Sequence, residues 1–296
     1  MKFIDKINSA YAGQGKVCSQ KILDTAWNEE EHRYVGLAYT IDGNMKQMRK
    51  FLVDEQEALC CYCMRKLHLT PTEYDAGNVT LEHIIPHKIT NDEWEKASRD
   101  YLKYDCLQPR YITVCPRAEL PEPNTKINDI PHPHFISYYN LAASCDGAVL
   151  RSFSEDSKPD SSHCCNNKRG NAFVKPLYLK ADQASQVYYD EKGIVYFPDE
   201  KRESGYENIL NLNDIALKMA REFWYHISRS DYDVSQVEDA CNDENLREEI
   251  LDDAMPGADT KWDFLKKNKD AWCWISEYSW FYDYYRTRYP LTSTPA

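Results

Sequence analysis

Six of the eleven cysteines fall in two clusters: Cys60, Cys61 and Cys63 in the first, Cys145, Cys164 and Cys165 in the second. Nothing else in the chain constrains its folding as strongly. A Cys-x-x-Cys turn presents two thiolates from one tight loop, and a tetrahedral zinc site needs two more ligands from elsewhere. Cys60 and Cys63 supply the first pair, and Cys145 and Cys165 are the choice for the second. Compact knuckles close with another Cys-x-x-Cys, whereas 19 residues separate Cys145 from Cys165. Cys164, Cys61 and His163 therefore stay open as alternatives for the fourth ligand, and adjacent Cys164 and Cys165 cannot easily both face one ion. Four thiolates leave no position for water, so this zinc is expected to staple segments and not to catalyse. An odd cysteine count argues against a disulfide framework.

The staple would enclose Val79-Thr80-Leu81-Glu82-His83-Ile84-Ile85-Pro86, a short β-branched run that reads as a strand. Glu82 and His83 are neighbours on it, so their side chains point in different directions. Hydrolysis of a phosphodiester needs a cation, a base for water, and something to orient that base. Glu82 carboxylate and Asn166 amide oxygen suit Mg²⁺ or Mn²⁺, with substrate phosphate oxygens completing the shell. His83 suits the base, since an ordinary histidine is largely neutral near physiological pH. Asn140 is placed to orient His83 or to pin the loop between the strands. Lys168 and Arg169 add charge and donors for phosphate. Glu-His dipeptides are common on surfaces, Asn140 also fits a turn and Asn166 a helix cap. The weight lies in their joint order between the cysteine clusters.

Charge bears on how substrate is found. The formal net charge is -12, which disfavours a free-standing nucleic-acid binder. It is uneven, however. Residues 231–260 hold 11 acidic side chains against one basic, Arg247, so the remainder is nearly neutral. Lys168, Arg169, Lys175 and Lys180 form a basic stretch free of acids. No apolar run approaches the roughly 20 residues of a membrane span, and Met1 to Gly15 lacks a signal-peptide pattern. The expectation is a cytoplasmic chain with no membrane contact.

The layout expected is an N-terminal extension over 1–44, a core with two insertions over 45–200, and a helical C-terminal region over 201–296 suited to a partner. Helices are predicted from Asn44 to Leu59, from Thr90 to about Tyr104 behind a Thr90/Glu93 capping box, and from Asn208 to His226. Strands are predicted at Val79–Ile84 and Tyr138–Ser144, and a hairpin over Val187–Phe197. Asn166 to about Val174 reads as a short helix or a turn. Residues 107–134, rich in proline, read as an irregular insertion, with His132 and His134 in a solvated loop, and 146–162 as a second insertion. His87 is assigned to the surface or to a supporting role behind the site. The acidic block is expected to form a solvated helix broken at Pro256-Gly257. The aromatics Trp274, Tyr278, Phe281 and Tyr285 fit a buried stripe or a protein interface.

Glu82-His83-Ile84-Ile85-Pro86, Asn140-Leu141 and Cys165-Asn166-Asn167-Lys168-Arg169-Gly170 together resemble the HNH (ββα-metal) endonuclease superfamily in its cysteine-flanked form. Phe51-Leu52-Val53-Asp54-Glu55-Gln56 before the first cysteines, and Ile209-Leu210-Asn211-Leu212-Asn213 with Leu217 and Arg221, extend this to the retron-associated and Septu-type (PtuB-like) HNH proteins. The resemblance spans 45–225 as scattered motifs and leaves 1–40 and 226–296 uncovered. It implies an α+β fold, a ββα-metal core with a zinc knuckle in a largely helical surround. It also implies a nuclease acting on nucleic acid, DNA before RNA, with an ABC/SMC-like ATPase partner in anti-phage defence. His83 is then the base, Glu82 and Asn166 the metal ligands and Asn140 the orienting residue. Asn167 stays open in place of Asn166, and the long 87–139 stretch departs from the compact motif. The competing expectation is a non-catalytic, zinc-stapled adaptor between a partner and nucleic acid.

Overall fold

The computed structural model describes residues 1–28, 30, 33–34, 43–70, 77–116, 131–149, 163–197, 206, 208–255 and 260–290. The Pro256-Gly257 break, residues 117–130 of the 107–134 stretch and residues 150–162 of the second insertion lie outside them. The fold is mixed α+β, mostly helical with small sheets. In chain order the elements are α1 (Ala12–Ala26), β1 (Trp27–Asn28), β2 (Arg33–Tyr34), α2 (Gly43–Glu55), β3 (Val79–His83), α3 (Asn91–Tyr101), β4 (Ile112–Thr113) and β5 (His132–Pro133). Then come β6 (Leu141–Cys145), α4 (Cys165–Arg169), α5 (Ala181–Gln186), β7 (Tyr188–Tyr189) and β8 (Val195–Tyr196). The chain finishes with α6 (Ile215–Ser228), α7 (Val234–Asp239), α8 (Glu244–Ala254), α9 (Asp263–Lys267), α10 (Lys269–Ser276) and α11 (Trp280–Arg288).

Local chemistry explains where several elements start and stop. Thr90 caps α3 as expected: its hydroxyl accepts from the Glu93 amide at 3.2 Å and Glu93 Oε2 accepts from the Thr90 amide at 2.7 Å. Such a cap is worth about 1 kcal/mol. The helix ends at Tyr101, short of Tyr104. Helix α2 ends at Glu55 because Glu57 and Ala58 take positive φ, and this turn feeds the first cysteines. Asn211 also has positive φ, so α6 begins only at its Asp214 cap, whose side chain accepts from the Ala216 amide. The β7–β8 hairpin pairs Tyr188 with Tyr196 around Gly193 at φ +73.

The expected second strand begins later than its sequence suggests. Tyr138–Asn140 is a 3₁₀ turn, and only Leu141–Cys145 is extended. The turn is fixed from outside: the Tyr138 amide donates to Ser19 Oγ of α1 at 3.0 Å. Strands β3 and β6 are antiparallel, with Val79 opposite Cys145 and His83 opposite Leu141. Helix α4 follows β6 in the chain and lies against this pair.

One continuous apolar cluster runs from Met1 through the β3–β6 pair to Tyr285. The N-terminal stretch, weakly patterned in sequence, belongs to it. Met1 and Ile4 are buried, and α1 packs on α2 and so closely on the 3₁₀ turn before β6 that a Cβ at Gly15 would meet the Tyr138 ring at 2.3 Å. Buried Lys6 pairs with Glu55 at 2.5 Å, and Tyr138 also donates to Glu55. Phe281 and Tyr285 of the aromatic stripe are fully buried, as are Trp224 and Trp272. Among the described residues no helix is long and apolar enough to cross a membrane.

Candidate metal centre and active site

Residues Cys60 to Arg65 form a tight knuckle. The Cys60 amide donates to Arg65 O at 2.9 Å and the Met64 amide to Cys60 O at 3.2 Å. Met64 takes positive φ there, as does Cys165 at the start of α4. Left-handed backbone at non-glycine residues costs about 1–2 kcal/mol each, and here it turns the chain so that both thiol pairs face inward. The knuckle docks on β6 through the Cys61 amide to Ala143 O at 3.1 Å. Gln56 extends that contact: its amide donates to Ala143 O and accepts from the Ala143 N–H, both at 2.8 Å.

The sulfurs of Cys60, Cys63, Cys145 and Cys165 all lie within 4.8 Å of one another and all four residues are buried. Cys60 to Cys165 is 3.9 Å and Cys63 to Cys145 is 3.7 Å. Tetrahedral zinc with bonds of about 2.3 Å requires ligand sulfurs about 3.8 Å apart, so the quartet has the span of a structural zinc site. Burial pushes the Cys63 and Cys165 thiols well up. Burial also opposes ionisation of Cys60, but hydrogen bonds from Cys145 and Cys165 hold it well below the usual thiol range. A full set of thiolates in so dry a site calls for a cation. The quartet matches the set expected from sequence. Cys61, Cys164 and His163 stand outside it; Cys164 occupies the N-cap position of α4, and its amide donates to Gly147 O at 2.9 Å.

Strand β3 divides the remaining site residues. Glu82 points into the interior and is fully buried. Its Oε1 accepts from Tyr62 Oη at 2.7 Å and is ion-paired with Arg169, while its Oε2 is buried with no hydrogen-bond partner. His83 is partly exposed. Its Nε2 lies 2.9 Å from Phe135 O; a carbonyl only accepts, so Nε2 carries the proton and Nδ1 is the basic nitrogen. The His83 pKa is lowered to about 4, chiefly by burial, with smaller contributions from His87 and His134 and with the Phe135 hydrogen bond opposing. The ring is therefore neutral at physiological pH.

Asn140 pins the loop after β3. Its Oδ1 accepts from the Ile85 amide at 2.7 Å and its Nδ2 donates to Ile85 O at 2.9 Å and His134 O at 2.8 Å. Of the two roles expected for it, the loop contact is the direct one, and it fixes the backbone two residues past His83. His87 stacks on His83 with ring centroids 5.2 Å apart. His132 and His134 depart from the solvated-loop expectation. Both are buried, because β5 pairs with β4 and His134 bridges Pro86 O at 3.2 Å and the Cys115 amide at 3.2 Å.

Helix α4 covers the free edge of β3. Asn166 Nδ2 donates to Thr80 Oγ1 at 3.2 Å and Leu81 O at 3.1 Å. Arg169 donates to His83 O at 2.7 Å, Ile84 O at 2.8 Å and Ala172 O at 2.8 Å. These donors take up edge carbonyls that a two-stranded sheet leaves open. Arg169 thus departs from the expected phosphate contact: it is buried and committed to backbone and Glu82, whereas Lys168 is exposed. Asn167 is exposed and donates to Asp146 O. Tyr62 and Gln56 drew no role from the sequence, because their partners lie 20 and 87 residues away.

The C-terminal helices close over the knuckle. Arg65 pairs with Glu277 at 2.5 Å and Asp146 at 2.9 Å, and the Lys66 amide donates to Glu277 O at 2.7 Å. Comparison with protein-family models, with curated proteins and with solved structures finds no match.

Proposed function

We propose that this chain is a divalent-metal-dependent HNH endonuclease with a structural zinc, built on β3, β6 and α4 as its ββα unit. The observation that carries the reading is the pairing on β3. His83 is held neutral with Nδ1 as its basic nitrogen, next to Glu82, whose second carboxylate oxygen has no partner. An orphaned buried carboxylate oxygen is costly, and a cation would satisfy it. Glu82 Oε2 and the Asn166 amide oxygen would hold Mg²⁺ or Mn²⁺, which when bound neutralises charge on the scissile phosphate and the leaving oxygen. His83 takes a proton from water at Nδ1, the water oxygen attacks phosphorus, and the phosphorus bond to the leaving oxygen breaks. The leaving oxygen is protonated by solvent. Asn140 keeps the loop behind His83 in place, and exposed Lys168 is available to phosphate.

The net charge of -12 supports action with a partner that brings substrate to the site. The resemblance to Septu-type proteins makes an ABC/SMC-like ATPase that partner, DNA the preferred substrate, and anti-phage defence in the cytoplasm the setting. The test incubates purified protein, with and without the ATPase, with DNA and RNA in Mg²⁺ or Mn²⁺. Cleavage that disappears in His83→Ala is expected. Equal behaviour of wild type and His83→Ala on every substrate overturns the reading.

One observation favours a second reading. Glu82 is enclosed and neutralised by Arg169, as in a purely structural ion pair. A zinc-stapled adaptor joining a partner to nucleic acid needs no more than that. It requires that Glu82→Gln and Asn166→Ala leave partner binding and biological function intact.

A further inference from the structure

We propose that the zinc knuckle also sets the geometry of the catalytic carboxylate, with Tyr62 as the positioning residue that reserves Glu82 Oε2 for the activating divalent cation. This rests on the reading of Glu82 as a metal ligand. Tyr62 lies between two zinc-ligand positions, Cys60 and Cys63. Once both thiolates turn toward one ion, the intervening residues are forced outward, and Tyr62 reaches Glu82 Oε1 at 2.7 Å. Its ring is locked edge-on against Tyr178 at 5.6 Å, so the hydroxyl has little freedom.

The second clamp has the same origin. Arg169 follows Cys165 by one helical turn, so the helix that presents the thiolate also presents the guanidinium to Glu82. Three carbonyls, His83, Ile84 and Ala172, hold that guanidinium in place. Two donors from the two halves of the cysteine quartet therefore occupy the same oxygen, and Oε2 is left over. Glu82 becomes a one-oxygen ligand with a fixed direction. Partners that orient a ligand in this way typically change metal affinity by about 10–100-fold when removed.

The test uses the full-length, zinc-loaded protein and follows Mn²⁺ binding by electron paramagnetic resonance, with zinc content and melting temperature measured in parallel. Wild type is expected to bind one Mn²⁺ saturably and Glu82→Gln to lose it. Tyr62→Phe, which removes a single hydroxyl and keeps the ring, is expected to bind Mn²⁺ about tenfold more weakly at unchanged zinc content, in a protein that still melts cooperatively. Tyr62→Phe matching wild type while Glu82→Gln loses Mn²⁺ overturns the inference and leaves the metal role of Glu82 standing. A wild type that binds no Mn²⁺, or a Glu82→Gln variant that binds it equally well, overturns that role and the inference with it.

Discussion

The β3–β6–α4 region and the C-terminal helices solve the same problem by opposite means. Strands β3 and β6 and helix α4 have five residues each, too few to persist unaided. They are held to one another and to the knuckle by directional bonds: four thiols, the Gln56 and Asn140 amides, and the Arg169 guanidinium. Helices α6 to α11 are held by aromatic burial. Phe223 meets Trp224 and Trp272 edge to face at 5.7 and 5.4 Å, and both indoles donate to backbone carbonyls. Directional bonds fix angles, and burial fixes proximity. The region that carries the candidate site has the former, and the C-terminal helices have the latter.

Zinc removal should separate the two most sharply. Apparent zinc binding in small structural sites contributes about 10 kcal/mol or more, so chelation, or Cys63→Ser, should abolish amide protection over 60–63, 141–145 and 165–169. Protection over Ile215–Ser228 should survive in hydrogen exchange. Equal loss in both regions would break the comparison. Trp224→Ala should act in the reverse sense, lowering unfolding stability by about 3–5 kcal/mol while the folded protein still binds one zinc, checked by denaturant melts and metal analysis.

Asn140→Ala should cost about 3 kcal/mol, because the Ile85 amide and two buried carbonyls lose partners at once, each worth about 1–3 kcal/mol. The measurement is a denaturant melt beside Asn140→Asp, which keeps the acceptor for the Ile85 amide and loses the donors. The smallest effect should come from Glu277→Gln at the joint between the regions. Its carboxylate is partly exposed and buried Arg65 keeps its pair with Asp146, so losing the Glu277 pair should cost only about 1 kcal/mol, with zinc content unchanged. A much larger cost would mean that the two regions are one cooperative unit through that contact.

Legibility in the sequence followed the range of the interaction. The Thr90/Glu93 box, the hairpin read over Val187–Phe197 and the strand read over Val79–Ile84 depend on neighbours within a few residues; the box stands, and the other two form with ends a residue shorter, at Tyr188–Tyr196 and Val79–His83. The late start of β6 and the burial of His134 do not depend on such neighbours, because Ser19 and Pro86 decide them. Helix α1 carries Gly13 and Gly15, poor helix formers, and is secured by packing on α2 and Tyr138.

Spacing and residue type pointed to Cys60 and Cys63 with Cys145 and Cys165 as the preferred second pair, since zinc admits few donor sets, and the tertiary structure closed the choice that Cys61, Cys164 and His163 had left open. Residue order also put Glu82 and His83 on opposite sides of one strand, since strand geometry has a period of two. Only the tertiary structure decided what each side chain faces. Arg169 turned inward to the β3 carbonyls and Glu82, and Tyr62 turned from an unremarked knuckle residue into a donor to that carboxylate. The partners of a long polar side chain are set by which backbone groups the fold leaves unsatisfied nearby, and no local pattern carries that information.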